Sequence, residues 1–207
     1  ANVIVSTNTV TSTIITTIAG TGTASNTGDG GLATSATLNN PREMAVDYGG
    51  NVYICLTSSN IIRKITASTG IISRFAGNGT AGYTGDGGSA VNATLNSPWG
   101  IACDPGGNVF VAVQGSNVIR KVFASNGIIT TFMGTGSSTT TGTGNGGPAI
   151  NATVRQISAI CCDNGGNVYF ADVGGGFDSV RKIFAGNNIV VNFAGGAATG
   201  YGGDGGP

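Results

Sequence analysis

The chain has 207 residues, with nine basic and nine acidic side chains and no histidine. The balanced charge argues against nucleic acid as a partner, because a phosphate-binding face needs a net basic patch, and no apolar run is long enough to suggest membrane insertion. Without histidine the chain lacks the ligands of a histidine-bound zinc and the base of a Ser-His-Asp or Cys-His site. Because only 9% of its residues are charged, Ser, Thr, Asn and Gly must cover most of the surface.

The first twenty residues read as the second half of a repeat unit. Residues 3–20 align with residues 60–77, but they carry Ser6 and Thr7 where the later copy has an Arg-Lys pair. We therefore predict that residues 1–20 form half of a unit that precedes the complete ones.

Glycine-rich tetrads mark the period of the rest of the chain. Gly-Asp-Gly-Gly at 28–31 returns at 85–88, as Gly-Asn-Gly-Gly at 144–147 and as Gly-Asp-Gly-Gly at 203–206, with steps of 57, 59 and 59 residues. The texts "GGNVY", "GGNVF" and "GGNVY", and after them "IRK", "IRK" and "VRK", recur in the same order. Such a period is typical of a repeat protein whose units share one continuous core. We predict one domain, with repeats at 21–77, 78–134 and 135–195 and the start of a further loop at 196–207.

Each repeat predicts four antiparallel strands. In the first repeat "EMAVD" alternates in polarity, and two glycines then supply the positive φ values of a tight hairpin turn. "NVYICLT", "NIIRKITA" and "GIISRFAG" follow as further strands. One such sheet cannot bury both of its faces, so the units must stack, and radial stacking gives a β-propeller. The predicted fold class is all-β, a β-propeller of four-stranded antiparallel blades with about three and a half blades present.

The run "GDGGxAxxAxLxxP", followed by "xAxDxGGNVY", "IRK" and "GII", resembles the NHL-repeat family of β-propellers, especially its secreted, glycine-rich members. The third repeat departs from this pattern at Asn145, where the tetrad aspartate stands elsewhere, and at Ile157, where Pro41 and Pro98 stand in the earlier copies. The resemblance implies a ring of about six blades. Three and a half repeats would leave an open arc, so either more of the protein exists or arcs assemble with one another.

The resemblance also bears on catalysis. The family includes a lyase that uses histidine-bound zinc, for which this chain has no ligands. Lactonase-like propellers hold a metal at the central axis with Glu, Asn and Asp. Glu43 fits one such ligand, but its equivalents are Gly100 and Ala159, which offer no side-chain oxygen. We expect no enzymatic role, no metal and no cofactor.

Most of the charges follow the repeat. Three aspartates lie in tetrads, three end the first strand of each repeat, and three Arg-Lys pairs lie in the third strand. The simplest interpretation is one structural ion pair or turn cap in each blade, because aspartate side chains often close their own turns. A calcium loop at each tetrad is the alternative, although one carboxylate is few for six to eight oxygen ligands. The residues assigned to this structural frame are Asp47, Asp104, Asp163, Arg63, Arg120 and Arg181.

Positions that differ between repeats point to a binding surface. The copies diverge just before the first strand and between the second and third strands, and in a propeller these loops open on the same face. An exposed Trp99 among charged neighbours is typical of a protein or glycan contact patch; the alternative is that Trp99 fills the mouth of its own blade. The predicted binding face comprises Arg42, Glu43, Trp99, Gln114, Ser158, Asp172, Phe177 and Asp178.

Sequons and cysteines suggest an oxidising, extracellular compartment. Asn78, Asn92 and Asn151 each begin an Asn-x-Thr sequon, although such triplets also arise by chance in an Asn- and Thr-rich chain. Strand alternation sets Cys161 on the opposite sheet face from Cys103. Because neighbouring blades pack opposite faces together, Cys103 and Cys161 are the predicted disulfide; free buried thiols are the alternative.

Taken together, the sequence favours a non-catalytic extracellular NHL-type protein that acts as a structural or adhesive subunit of a larger assembly, such as a fibre or cell-surface appendage. Its expected partners are other protein subunits, copies of itself among them, and glycans. The first alternative is a ligand-sensing propeller domain of a larger receptor, and the second is a metal-dependent, lactonase-like hydrolase.

Overall fold

A computed structural model describes residues 15–137, 142–174 and 178–195. Phe177, Asp204, Ser6, Thr7 and most of the leading half-repeat lie outside the described residues, as does the segment 196–207. The described residues form three antiparallel sheets. Their strands are β1 Pro41–Val46, β2 Val52–Leu56, β3 Ile61–Ile65 and β4 Ile72–Ala76 in blade 1; β5 Pro98–Cys103, β6 Val109–Val113, β7 Val118–Val122 and β8 Ile129–Met133 in blade 2; and β9 Gly147–Pro148, β10 Ile157–Cys162, β11 Val168–Asp172, β12 Ser179–Ile183 and β13 Ile189–Ala194 in blade 3.

Within each blade the strands pair in chain order, and the β-propeller prediction is confirmed. The β1–β2 hairpin and its two equivalents turn on Gly50, Gly107 and Gly166, which adopt φ values of 77–78°. An L side chain is disfavoured in this region, so glycine is required at the turn. Short 3-10 helices connect the second and third strands of blades 1 and 2 and precede the first strand of each blade; they are Ala33–Ser35, Thr57–Ser59, Ala90–Asn92, Gln114–Ser116 and Ala149–Asn151.

The blades stack face to face through two apolar cores. We call the side of a blade that contacts the preceding blade its front face and the other side its back face. Tyr53 and Cys55 on the back face of blade 1 pack with Ile101 and Val111 on the front face of blade 2. In the same way, the back face of blade 2 packs on the front face of blade 3 through Ala102, Phe110, Ala112, Ile160, Cys162 and Phe170. Side-chain alternation along the strands therefore divides each blade between two interfaces.

Each tetrad loop pairs with the outer strand of the blade that follows it. The N–H of Gly30 donates to the carbonyl of Ile72 at 2.8 Å, and the N–H of Ile72 donates to the carbonyl of Gly31 at 3.0 Å. In blade 3 the same pairing is recorded as β9 against the beginning of β13. The loops thereby cover part of the outer edge of each sheet, which would otherwise present unpaired backbone groups.

One contact joins blades that are not neighbours. The hydroxyl of Tyr48, in the β1–β2 hairpin, donates to Oδ1 of Asn164 in the β10–β11 hairpin at 2.8 Å. The inner hairpins of blades 1 and 3 therefore meet below blade 2. Among the described residues, no helix has the length and apolar character needed to cross a membrane.

Candidate functional site

Buried arginines hold the tetrad loops in place. Arg63 on β3 is fully buried, and its Nη2 lies 2.6 Å from Oδ1 of Asp29 in the tetrad. Its Nη1 also donates to the carbonyls of Thr27 and Thr37. Arg120 repeats this arrangement in blade 2, with its Nη2 2.6 Å from Oδ1 of Asp86. These charges therefore link the third strand to the loop that enters the blade.

In blade 3 the carboxylate beside the buried arginine comes from β11 and not from the tetrad loop. Arg181 donates from Nε to Oδ1 of Asn145 at 3.1 Å, and its Nη1 lies 3.4 Å from Oδ2 of Asp172. Burial lowers the pKa of Arg181, and the adjacent Asp172 carboxylate opposes that effect. Asp172 also accepts the backbone N–H of Arg155 at 2.9 Å. The negative charge missing at Asn145 is thus supplied by the end of β11.

This arrangement corrects the expected position of Asp172. The sequence placed it on the exposed binding face, but its side chain is only 1% exposed. It pairs with Ile157 at the end of β11 and occupies the position of Leu56 and Val113, which point into the front-face interface. Asp172 therefore belongs to the structural frame of blade 3, with Arg155 and Arg181 on either side of its carboxylate.

The aspartates that end the first strands close the inner hairpins. Oδ1 of Asp47 accepts the N–H groups of Gly49 and Asn51, and its Oδ2 accepts the Asn51 amide and the Tyr53 hydroxyl. Burial raises the pKa of Asp47, but these hydrogen bonds outweigh it and leave the pKa below its usual value. Asp163 makes the same four contacts in blade 3, where the amide of its asparagine contributes most to lowering its pKa.

We call the side on which the first strands begin the upper face. Here the guanidinium of Arg42 lies over the Trp99 ring, with its carbon 4.3 Å from the ring centroid. The Glu43 carboxylate lies above Gly100, and it accepts the N–H of Ile101. Burial raises the pKa of Glu43, and this hydrogen bond partly offsets the increase. The structure therefore brings three of the predicted binding-face side chains to the junction of blades 1 and 2.

The other predicted binding-face residues are more dispersed. Ser158 and Gln114 are half-buried, and Gln114 begins the 3-10 helix after β6. Asp178 is exposed and accepts the N–H of Gly174 at 2.7 Å. Phe177 lies outside the described residues. Among the ranges the structure describes, no group of three or more Cys, Asp, Glu or His side chains is arranged to hold a metal ion.

The expected disulfide between Cys103 and Cys161 is wrong in this structure, where all four cysteines are free. The faces explain the error. Cys103 lies on the front face of blade 2 and packs towards blade 1, whereas blade 2 turns Ala102 towards blade 3. Cys161 is exposed on the back face of blade 3, so the two thiols point to different interfaces. Burial raises the pKa of Cys103 and of Cys162 to about 12.

The three sequon asparagines are exposed. Asn92 and Asn151 end the equivalent 3-10 helices Ala90–Asn92 and Ala149–Asn151. The threonine of the first of these sequons has a structural role of its own, because Thr94 Oγ1 accepts the N–H of Thr84 at 2.8 Å. The Asn78 side chain is already engaged, since its Oδ1 accepts the N–H of Thr80 and its amide donates to the carbonyl of Asn92.

Sequence reasoning missed a cavity on the opposite, lower face, between blades 2 and 3. It has a volume of about 290 Å³, and Asp104, Phe110, Lys121, Phe132 and Asn164 are among its lining residues. The signal for it was a single substitution in the repeat, since Phe110 stands where the other blades have Tyr53 and Tyr169.

A family model described as the Teneurin NHL domain matches residues 78–143, which cover blade 2 and the loops on either side. This segment is therefore similar to NHL repeats. A curated relative, "Protein SUPPRESSOR OF QUENCHING 1, chloroplastic" of Arabidopsis thaliana, is 31% identical over 104 residues. The aligned part is 49% of this chain and 10% of that protein. The chain therefore spans a small part of the length of this curated relative.

Solved structures show the same fold. A protein of unknown function from Bacteroides thetaiotaomicron superposes with a TM-score of 0.58 and 22% identity, over 73% of this chain and 37% of that chain. A chain of a nidogen/laminin complex superposes with a TM-score of 0.54 and 15% identity, over 75% of this chain and 48% of that chain. Virginiamycin B lyase from Staphylococcus aureus superposes with a TM-score of 0.50 and 18% identity, over 78% of this chain and 43% of that chain. The chain thus spans less than half the length of these chains, and at such identities the similarity concerns the fold alone.

Proposed function

We propose that this chain is a non-catalytic, extracellular structural or adhesive subunit that associates with copies of itself through exposed apolar side chains of blades 1 and 3. The observation that carries the proposal is the exposure of apolar side chains at positions that are buried between blades elsewhere. On the back face of blade 3, Phe193 is 59% exposed and Val180 is 37% exposed. Ile119, the residue of blade 2 that is equivalent to Val180, is fully buried against blade 3.

On the front face of blade 1 the first strand is exposed, although Ile54 and Leu56 on the next strand are buried under the loop that precedes the blade. Met44 is 56% exposed and Val46 is 60% exposed. The residue equivalent to Met44 in blade 2 is Ile101, which is 2% exposed and packs on the blade before it. A second copy whose blade 1 meets the back face of blade 3 would extend the interface that already joins successive blades. Contacts of this head-to-tail kind close into rings or continue as filaments.

Further support comes from charge and composition. The chain carries no formal net charge and only 9% charged residues, and a surface of this kind opposes association weakly. An analogy at the level of fold adds to this, because one of the similar solved structures is a chain of a nidogen/laminin complex. The exposed Asn92 and Asn151 support an extracellular location.

The proposal includes no catalytic role. Glu43, the acid expected in a lactonase-like site, has its carboxylate against Gly100 and hydrogen-bonded to the N–H of Ile101. Its equivalents in blades 2 and 3 are Gly100 and Ala159, so the neighbouring blades supply no further side-chain ligand at this level of the axis.

Sedimentation velocity over a range of protein concentrations tests the association. We expect the wild type to form larger species as concentration rises, and the Val180→Asp variant to stay monomeric because it introduces a charge into the apolar face. Ile150→Asp is the matched control, since Ile150 is 45% exposed but lies on the loop that precedes blade 3. A wild type that stays monomeric, or a Val180→Asp variant that associates equally, would contradict the proposal and favour a ligand-sensing domain.

The location is tested separately by the intact mass of protein purified from its natural source, before and after enzymatic deglycosylation. We expect a loss of mass that maps to Asn92 or Asn151. An unchanged mass would remove the extracellular part of the proposal and leave the association to be judged by sedimentation.

A further inference from the structure

The cavity between blades 2 and 3 surrounds a carboxylate with fewer hydrogen bonds than its equivalents. In blades 1 and 3 a tyrosine hydroxyl donates to the hairpin aspartate, at 3.0 Å from Tyr53 and 3.1 Å from Tyr169. Blade 2 has Phe110 in this place and lacks the hydroxyl. Asp104 accepts two hydrogen bonds, both from Asn108, whereas Asp47 accepts four.

The carboxylate with fewer donors is also the more buried one. Asp104 is buried, with 8% of its surface exposed, whereas Asp47 and Asp163 are half-buried. A buried acceptor with spare capacity is unfavourable unless another donor satisfies it. Asp104 also lines a cavity of about 290 Å³. The site therefore lacks a donor group and has the space for one.

The lining of the cavity indicates the kind of molecule that fits. It contains one acid, Asp104, and one base, Lys121, so it has no net charge and favours a neutral ligand over an ion. The ammonium of Lys121 lies 5.0–5.8 Å from the centroids of three phenylalanine rings, Phe110, Phe123 and Phe132. These rings partly satisfy the cation, which makes it a better donor to a hydroxyl than a partner for a carboxylate.

We propose that this cavity binds a neutral, hydroxylated ring compound of the size of one monosaccharide. A hydroxyl of the ligand would donate to Asp104 as the tyrosine hydroxyl does in the other blades, a second hydroxyl would accept from Lys121, and an apolar ring face would lie against Phe132. The volume is just below the range of about 300–1,000 Å³ typical of sites for drug-sized ligands, which suits a single ring. The site lies on the lower face and does not depend on the proposed association through blade ends.

The substitution Phe110→Tyr tests the proposal and preserves the fold. It restores the residue of the other two blades, so its hydroxyl should donate to Asp104 and occupy the space of the ligand hydroxyl. The matched control is Tyr169→Phe, which removes the same hydroxyl from Asp163 in blade 3 and leaves the cavity lining unchanged. A second variant, Asp104→Asn, removes the negative charge and replaces one of the two carboxylate oxygens with an amide, and it retains the shape.

Binding is measured by saturation-transfer NMR with the methyl glycosides of glucose, galactose, mannose and N-acetylglucosamine as probes, and with glycine betaine as a zwitterionic probe. We expect at least one glycoside to bind the wild type and Tyr169→Phe, and to bind Phe110→Tyr and Asp104→Asn at least about tenfold more weakly, as expected when a hydrogen bond to a charged group is lost. The thermal midpoint of Phe110→Tyr should not fall.

Three results would overturn the proposal. These are the failure of all four glycosides to bind, binding that Phe110→Tyr leaves unchanged, and binding of glycine betaine alone. None of them bears on sedimentation, so the proposal and the proposed function can fail independently.

Discussion

Replacing Asp172 by asparagine tests whether blade 3 depends on a carboxylate that has moved from its tetrad to β11. The side chain keeps its shape, and its remaining oxygen can still accept the N–H of Arg155, so the change removes mainly the charge. Arg181 would then be buried with only carbonyl and amide oxygens around it. We expect the Asp172→Asn variant to be substantially less stable than the wild type.

The expected loss follows from the geometry. Charges separated by 3.4 Å, as are Arg181 Nη1 and Asp172 Oδ2, attract one another by about 5 kcal/mol at an effective dielectric constant of about 20. Removing one partner of a buried ion pair usually costs about 3–5 kcal/mol. Because asparagine keeps a hydrogen bond, we expect a loss at the lower end of that range, about 3 kcal/mol.

A second substitution makes the test specific. Asn145→Asp restores the tetrad carboxylate next to Arg181, whose Nε already lies 3.1 Å from Asn145 Oδ1. In the wild type this change should alter stability by less than about 1 kcal/mol, because the equivalent Asp29 is partly exposed and such pairs contribute little when the arginine is already paired. In the Asp172→Asn background it should recover about 1–2 kcal/mol, since it supplies the only carboxylate to Arg181.

Urea unfolding followed by circular dichroism measures the three variants and the wild type. Asp178→Asn is the control, because Asp178 is an exposed acid in the same blade and should change stability by less than about 0.5 kcal/mol. The reasoning is refuted if Asp172→Asn unfolds like this control, or if adding Asn145→Asp to it restores nothing.

Two further predictions concern thiols and pH. Maleimide at neutral pH should label Cys161 first, because it is exposed, and should label the fully buried Cys55 only after unfolding. Peptide mass spectrometry measures the order of labelling. Labelling of Cys55 before Cys161 in the native protein would contradict the assignment of the faces. Burial raises the pKa of Glu43 above its unfolded value of about 4.5, so the charged form opposes folding. The stability of the wild type relative to Glu43→Gln should fall as pH rises through the folded pKa, and the difference between the two proteins should not change with pH below the unfolded pKa. Urea unfolding of both proteins from pH 3.5 to 7.5 measures the difference, and an unchanged gap across this range would show that the Glu43 carboxylate is not desolvated.

The repeat made the fold predictable, because several landmarks fixed the same period and the glycines at Gly50 and Gly107 fixed the hairpins. Strand alternation also assigned Cys103 and Cys161 correctly to opposite faces. It could not say which face turns towards the preceding blade, since that depends on the handedness with which the chain winds from blade to blade. The disulfide prediction failed at that step.

The site was harder to predict than the fold. Arg42 and Trp99 lie at equivalent positions of successive repeats, one residue after Pro41 and Pro98, and their contact follows from the stacking of neighbouring blades. The sequence assigned Asp172 to the loop between the second and third strands, whereas in the structure it ends β11 at the position of Leu56 and Val113. The cavity beside Asp104 lacks one hydroxyl group because Phe110 stands in place of a tyrosine. A sequence pattern that treats Phe and Tyr alike as strand-forming aromatic residues does not reveal this loss.

The hydrogen bond between Tyr48 and Asn164 has a mechanical consequence. It spans two blade-to-blade junctions, so any change in the angle at either junction stretches or compresses it, and the effects of both add at one contact. Tyr48 is 74% exposed, and a single exposed hydrogen bond contributes only about 0.5–1.5 kcal/mol. The bond therefore couples the two junctions only weakly, and the apolar cores between the blades carry most of the resistance to bending.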